Sequence, residues 1–196
     1  GEPFLAMDLM EEVIEYARGA AKQSRKTVRF CATTNATVAN DRVQRIVSSN
    51  SMPLLVSVDG AEDAMEQRPY LGGGSPYQAV KRNLGKLSGW SPRAIGRVTY
   101  HPEALELVKN VRHVLEMGVS SVSLCPVVES DWRGREEALE QAYQELSEWF
   151  IQEALKGRFL PLEVTWQPLL YLHSSQAGGK RPDRPCGVGT SLNAVD

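Results

Sequence analysis

The chain has 196 residues, 42% apolar and 23% charged, with 22 Lys plus Arg against 24 Asp plus Glu for a formal net charge of -2. That composition excludes a disordered chain and leaves no basic field to hold a phosphate backbone, so no nucleic-acid partner is expected. No apolar run approaches the roughly 20 residues that cross a bilayer, GEPFLAMDLMEE is not a secretory signal, and three scattered cysteines make no disulfide framework. A cytoplasmic protein with no membrane partner is expected, and both ends of the chain, which starts with Gly, read as cut from something longer.

From Asp8 to about Lys22, Met10, Val13, Ile14, Ala17 and Ala21 recur at three- and four-residue steps, which predicts a helix with its acidic residues early, as the dipole favours. The run Thr27 to Ala32 predicts a strand that stops at the polar cluster Thr33, Thr34 and Asn35. Asn40 or Asp41 caps a short helix with Val43, Ile46 and Val47 on one face, and LLVSV follows as a strand closed by Asp59 and Gly60. Ser75 and Pro76 suit the N-cap and first position of a helix through Val80, Leu84 and Leu87 that ends near Gly89. Residues 94–100 read as a strand weakened by Gly96. Pro102 is placed to open a helix carrying Leu105, Val108, Val111, Val114 and Leu115, with Gly118 as its stop. Residues 119–125 form the next strand, and Glu136 to Lys156 the longest helix, stopped by Gly157.

Strand and helix alternate about every 30 residues, the order that crossovers turn into a parallel sheet or a barrel arc, so the fold class is α/β. Ligands of such folds sit at the carboxyl ends of the strands, where this chain places Thr34, Asn35, Ser57, Asp59, Arg97, Thr99 and Pro126. A boundary is expected between about His173 and Cys186, in a Gly/Pro/basic stretch that separates residues 1–172 from 173–196.

Simple catalytic signatures are missing from the sequence. The run Gly72-Gly73-Gly74 lacks P-loop spacing and follows no strand, so it reads as a flexible loop. His101, His113 and His173 make no metal-ligand spacing, and His113 is expected to be solvated on a helix surface. Cys31 and Cys125 lie in apolar strand patterns and are expected to be small buried hydrophobes. Lys22, Lys26, Lys81 and Lys86 fall on or beside helices, which gives a Schiff-base aldolase no support.

Four segments in series carry more than any of them alone. GEPFL resembles the back part of the GGEP(L/F)L motif of radical S-adenosylmethionine (AdoMet) enzymes, TNAT their TNGT, SVDG their S(I/L/M)DG, and CGVGTSLNAVD the opening of their SPASM extension. The subgroup that is similar includes anaerobic sulfatase-maturating enzymes and peptide maturases. This resemblance implies a partial (β/α)6 TIM-barrel-like arc from the second strand onward in residues 1–172, and a linker with the start of the SPASM extension in 173–196. It implies an enzyme that reductively cleaves AdoMet to a 5′-deoxyadenosyl radical for modification of a peptide or protein side chain, with AdoMet and a 4Fe-4S cluster as cofactors.

Residue by residue, the resemblance assigns Gly1 and Glu2 to the amino group of AdoMet, Ser57 and Arg68 to its carboxylate, and Thr34 and Asn35 to the same pocket. Leu124 to Pro126 resemble the stretch that flanks the adenine, Arg97 and Thr99 would line the pocket, and Cys186 resembles the first ligand of an auxiliary cluster. Ala36 stands where the family has Gly; a positive φ there would cost on the order of 1 kcal/mol. The CxxxCxxC loop that holds the cluster does not occur in these 196 residues and is expected upstream of Gly1, so the chain alone is expected to hold no cluster, to be inactive, and to carry Cys186 as a free thiol. The rival reading is a cluster-free, barrel-like binding or scaffold domain. Loss of the first strand would bare a sheet edge, so a homo-oligomer is expected. Trp132, Trp149, Trp166 and Tyr171 serve core packing as readily as peptide contact.

Overall fold

A computed structural model describes residues 1–66 and 68–163. Its four strands, β1 (Ala32–Thr34), β2 (Leu54–Ser57), β3 (Ala94–Tyr100) and β4 (Ser121–Pro126), are all parallel and lie side by side in chain order. Helices α1 (Met7–Gln23), α2 (Asp41–Ser49), α3 (Glu62–Met65), α4 (Tyr77–Trp90), α5 (Leu107–Glu116) and α6 (Glu136–Leu155) complete the α/β arc.

Local chemistry sets the helix ends. The Asn40 side chain accepts hydrogen bonds from the Arg42 and Val43 N–H groups, both 3.0 Å, and the one face of α2 that carries Val43, Ile46 and Val47 is buried. Ser75 Oγ accepts from the Tyr77 N–H at 3.2 Å, but α4 passes Gly89 and ends at Trp90. Beyond α6, Gly157 has φ +74°, and Glu153 binds both Lys156 and Arg158, which hold its carboxyl down to about 2.

Each strand shows one face to the helices and one to the concave side. Along β3, Ala94, Gly96, Val98 and Tyr100 are buried, while Ile95, Arg97 and Thr99 are half-buried. A Cβ on Gly96 would stand 2.5 Å from Val114 Cγ1 of α5, so the residue that weakens the strand pattern is the one that lets this helix approach. Tyr100 hydrogen-bonds Tyr143 of α6 at 2.8 Å and stacks edge-on against Trp132; burial, then this bond, raises its phenol pKa.

Several boundaries differ from expectation. The strand expected over 27–32 starts only at Ala32, because Ala32 is paired with Leu54, the first residue of β2, and the segment before it runs past its neighbour among the described residues. Cys31 is consequently exposed rather than buried, and Cys125 is half-buried on the concave face. Helix α5 begins at Leu107, not behind Pro102, because residues 101–104 close a turn in which the Ala104 N–H donates to the His101 carbonyl at 2.9 Å. His113 is not a solvated surface group: its Nε2 lies 2.9 Å from the Tyr77 hydroxyl, which ties α5 to α4. Helix α3 and a 3-10 turn at Pro3–Leu5 are too short to show a periodicity. Trp166, Tyr171, the expected boundary and Cys186 lie outside the described residues.

Candidate functional site

The carboxyl end of β1 is built around Glu2. Its carboxylate accepts three hydrogen bonds, from the Asn35 N–H at 2.7 Å, the Thr34 hydroxyl at 2.8 Å and the Phe4 N–H at 3.2 Å. Thr34 is 1% exposed, and its oxygen also accepts from the Ala36 N–H at 3.0 Å. Its hydroxyl is therefore spent on holding Glu2 and turning the chain, which makes Thr34 a positioning residue. The turn it supports has Ala36 at φ +58°, the left-handed conformation that suits the Gly of the resembled motif, and Asn83 of α4 closes it by donating to the Ala36 and Thr37 carbonyls at 3.0 and 3.1 Å. Asn35 is exposed, its Oδ1 accepts from Thr37, and its Nδ2 has no partner among the described residues. Gly1 is exposed beside this cluster.

A second cluster stands at the ends of β2 and β3, centred on Asp59. This carboxylate is 5% exposed and accepts from the Thr99 N–H at 2.9 Å, from Arg68 Nη2 at 3.1 Å and from Arg68 Nε. Arg68 also donates from Nη2 to the Thr99 hydroxyl at 3.0 Å, while its Nη1 amine has no acceptor among the described residues. Arg68 is thus in an ion pair, and the pair fixes the guanidinium with one edge still on offer. Sequence reasoning placed Asp59 in a strand-end loop without a role; the signal that could have found it is the Asp of SVDG itself. Gly60 behind it has φ +141°, and a Cβ there would stand 2.1 Å from Asn110 Oδ1, so only Gly lets the loop fold back onto α5.

Register separates the concave face into rows. Ser57, Arg97 and Ser123 are paired across β2, β3 and β4, and one pleat nearer the carboxyl ends Thr99 pairs with Cys125. Arg97 Nη2 donates to Cys125 Sγ at 3.1 Å. Leu124 is on the opposite face, packed towards Tyr100, Leu107 and Tyr143, so only its backbone is left to meet a ligand on the concave side. The structure therefore joins Glu2, Thr34 and Asn35 in one hydrogen-bonded group and Arg68 with Asp59 and Thr99 in another, both at strand carboxyl ends, with Ser57 in the row beneath. A groove of about 720 Å³ between α1 and α2, lined by Glu11, Ile14, Arg18, Gln44, Arg45 and Asn50, is remote from these strand ends.

By chemistry alone, the Glu2 carboxylate suits an ammonium and the free edge of Arg68 suits a carboxylate. They do not fit an iron–sulfur cluster. Among the described residues no three His, Cys, Asp or Glu side chains stand together as a ligand set, and Cys31 precedes β1 whereas Cys125 lies next to the carboxyl end of β4.

No family model matches the chain. Superposition on the enzyme anSMEcpe with bound AdoMet gives a TM-score of 0.77 at 14% identity, over 93% of this chain and 52% of that one. The chain shares the anSMEcpe fold. Streptococcus suis SuiB bound to S-adenosylmethionine aligns with a TM-score of 0.50 at 12% identity, over 69% of this chain and 31% of that one. In sequence, 124 residues are 25% identical to the uncharacterized protein MJ0907 of Methanocaldococcus jannaschii, covering 63% of this chain and 43% of that protein. The chain thus spans about half the length of anSMEcpe and less of MJ0907. No helix among the described residues is long and apolar enough to cross a membrane.

Proposed function

We propose that this chain is the AdoMet-facing part of a radical AdoMet enzyme that modifies a peptide or protein side chain in the cytoplasm. The observation that carries the reading is that the residues of three motifs, GEP, TNAT and SVDG with Arg68, lie at the carboxyl ends of adjacent parallel strands, in a fold shared with an enzyme solved with AdoMet. A peptide partner is supported by anSMEcpe having been solved with bound AdoMet and the Cp18Cys peptide. Within the proposal, Glu2 faces the ammonium of AdoMet, held there by Thr34 and Asn35, and Arg68, locked by Asp59, presents its Nη1 edge to the carboxylate. When bound, AdoMet supplies a 5′-deoxyadenosyl radical on one-electron cleavage of its sulfur–C5′ bond. The chain's own residues orient it and keep the amino-acid end fixed. A 4Fe-4S cluster, with Cys186 toward an auxiliary one, belongs to the proposal only through residues beyond those described.

The test is anaerobic reconstitution of the 196 residues with iron, sulfide and AdoMet. No cluster absorbance and no 5′-deoxyadenosine are expected, whereas binding of AdoMet is. A chain that binds no AdoMet contradicts the assignment, whereas one that makes 5′-deoxyadenosine unaided contradicts only its expected inactivity.

A further inference from the structure

Arg97 is an unusual cation in this molecule. Of the half-buried arginines, Arg42, Arg68 and Arg135 each face a carboxylate, and Arg97 faces none among the described residues. Of the five N–H donors of its guanidinium, one is used, by the Cys125 sulfur. A half-buried charge without a counter-ion is unfavourable for the fold, and it is retained most naturally where a ligand supplies the missing charge. Its neighbours are suited to that. Ser57 on β2 and Ser123 on β4 are in register with Arg97 and point to the same concave face, about 4.8 Å away on either side, and neither hydroxyl has a partner among the described residues. The row is a guanidinium fork between two hydroxyl donors, about 6.6 Å below the Thr99 row that Arg68 and Asp59 complete.

We propose that Arg97, flanked by Ser57 and Ser123, anchors a carboxylate inside the barrel arc. One guanidinium balances one carboxylate, whereas a phosphate dianion would meet a single cation and keep an uncompensated charge. Position below the rim favours the carboxylate of a substrate, an acidic side chain or a peptide C-terminus, over that of AdoMet. This rests on the proposed AdoMet site only for what the anchored group is for; the anchor itself stands on the row.

The experiment titrates the full 196-residue chain, ¹⁵N-labelled, with the capped pentapeptide Gly-Gly-Glu-Gly-Gly, its Gln counterpart, and AdoMet separately, following the Arg97 Nε–H and the amides of Ser57 and Ser123. The Glu peptide is expected to shift these signals saturably in the millimolar range, the Gln peptide not, and Arg97→Gln to weaken the Glu peptide by about tenfold, with partial recovery in Arg97→Lys. If Arg97→Gln weakens AdoMet and not the peptide, the anchored carboxylate is the cofactor's. If neither ligand depends on Arg97, or Arg97→Gln lowers the melting temperature as a structural arginine would, the anchor is refuted. Failure of the wild-type chain to bind AdoMet while the Glu peptide still binds would overturn the proposed function and leave the anchor in place.

Discussion

At Ala36 two small effects oppose each other. Its φ of +58° is strained for any residue with a Cβ, which Gly would relieve by about 1 kcal/mol, but its methyl is fully buried and Gly would also free the unfolded chain. Ala36→Gly is therefore expected to change stability by less than about 0.5 kcal/mol in urea denaturation. Gly60 has no such offset. Its φ of +141° and the 2.1 Å approach of Asn110 Oδ1 mean that Gly60→Ala must both strain the backbone and displace Asn110, a loss of about 2 kcal/mol or more. Because Asp59 is adjacent, the same variant should also loosen Arg68. Motif spelling made these positions legible; the partners did not follow from it, because Thr34, Asp59 and Asn110 meet residues 32, 9 and 50 positions away. Such pairings depend on strand register, which one sequence does not reveal.

Elements with a strong period or a cap could be read directly. The helix over Asp41–Ser49 starts where Asn40 can cap it, and Asn40→Ala should lower stability by about 1 kcal/mol. The edge strand could not be bounded, because Thr27 to Cys31 have strand composition and no neighbour to pair with among the described residues. Gly96 misleads in the opposite direction: it is poor for a strand in isolation, yet Gly96→Ala would drive a Cβ into Val114 and cost about 1–3 kcal/mol through displacement of α5. At the end of α6, Glu153 is normally titrated near 4.5 and is lowered to about 2 in the fold by Arg158, then Lys156. A depressed carboxyl contributes stability that is present above pH 4.5 and lost as pH falls towards 2. Glu153→Gln should remove that part of the acid dependence in thermal melts and leave the rest.

For the molecule as a whole, the alternation of strand and helix announced a parallel α/β arc, and the structure has it, with Thr34, Ser57, Thr99 and Pro126 at or near the carboxyl ends of its strands. Among the described residues strand β1 is hydrogen-bonded on one side only and Thr33 on it is exposed, which leaves an edge able to pair with a second copy. A dimer or larger assembly is expected in light scattering at tens of micromolar, weakened by Thr33→Pro, which would disturb pairing on this strand; a monodisperse monomer would show the edge to be harmless.

The central claim is that the ends of β1, β2 and β3 surround one amino-acid-shaped ligand, and AdoMet titrated into the ¹⁵N-labelled chain tests it most directly. The account predicts saturable shifts at Thr34, Asn35, Arg68 and Thr99, abolished for the Arg68 group by Asp59→Asn. Shifts confined to the groove between α1 and α2, or no shifts at all, would contradict it.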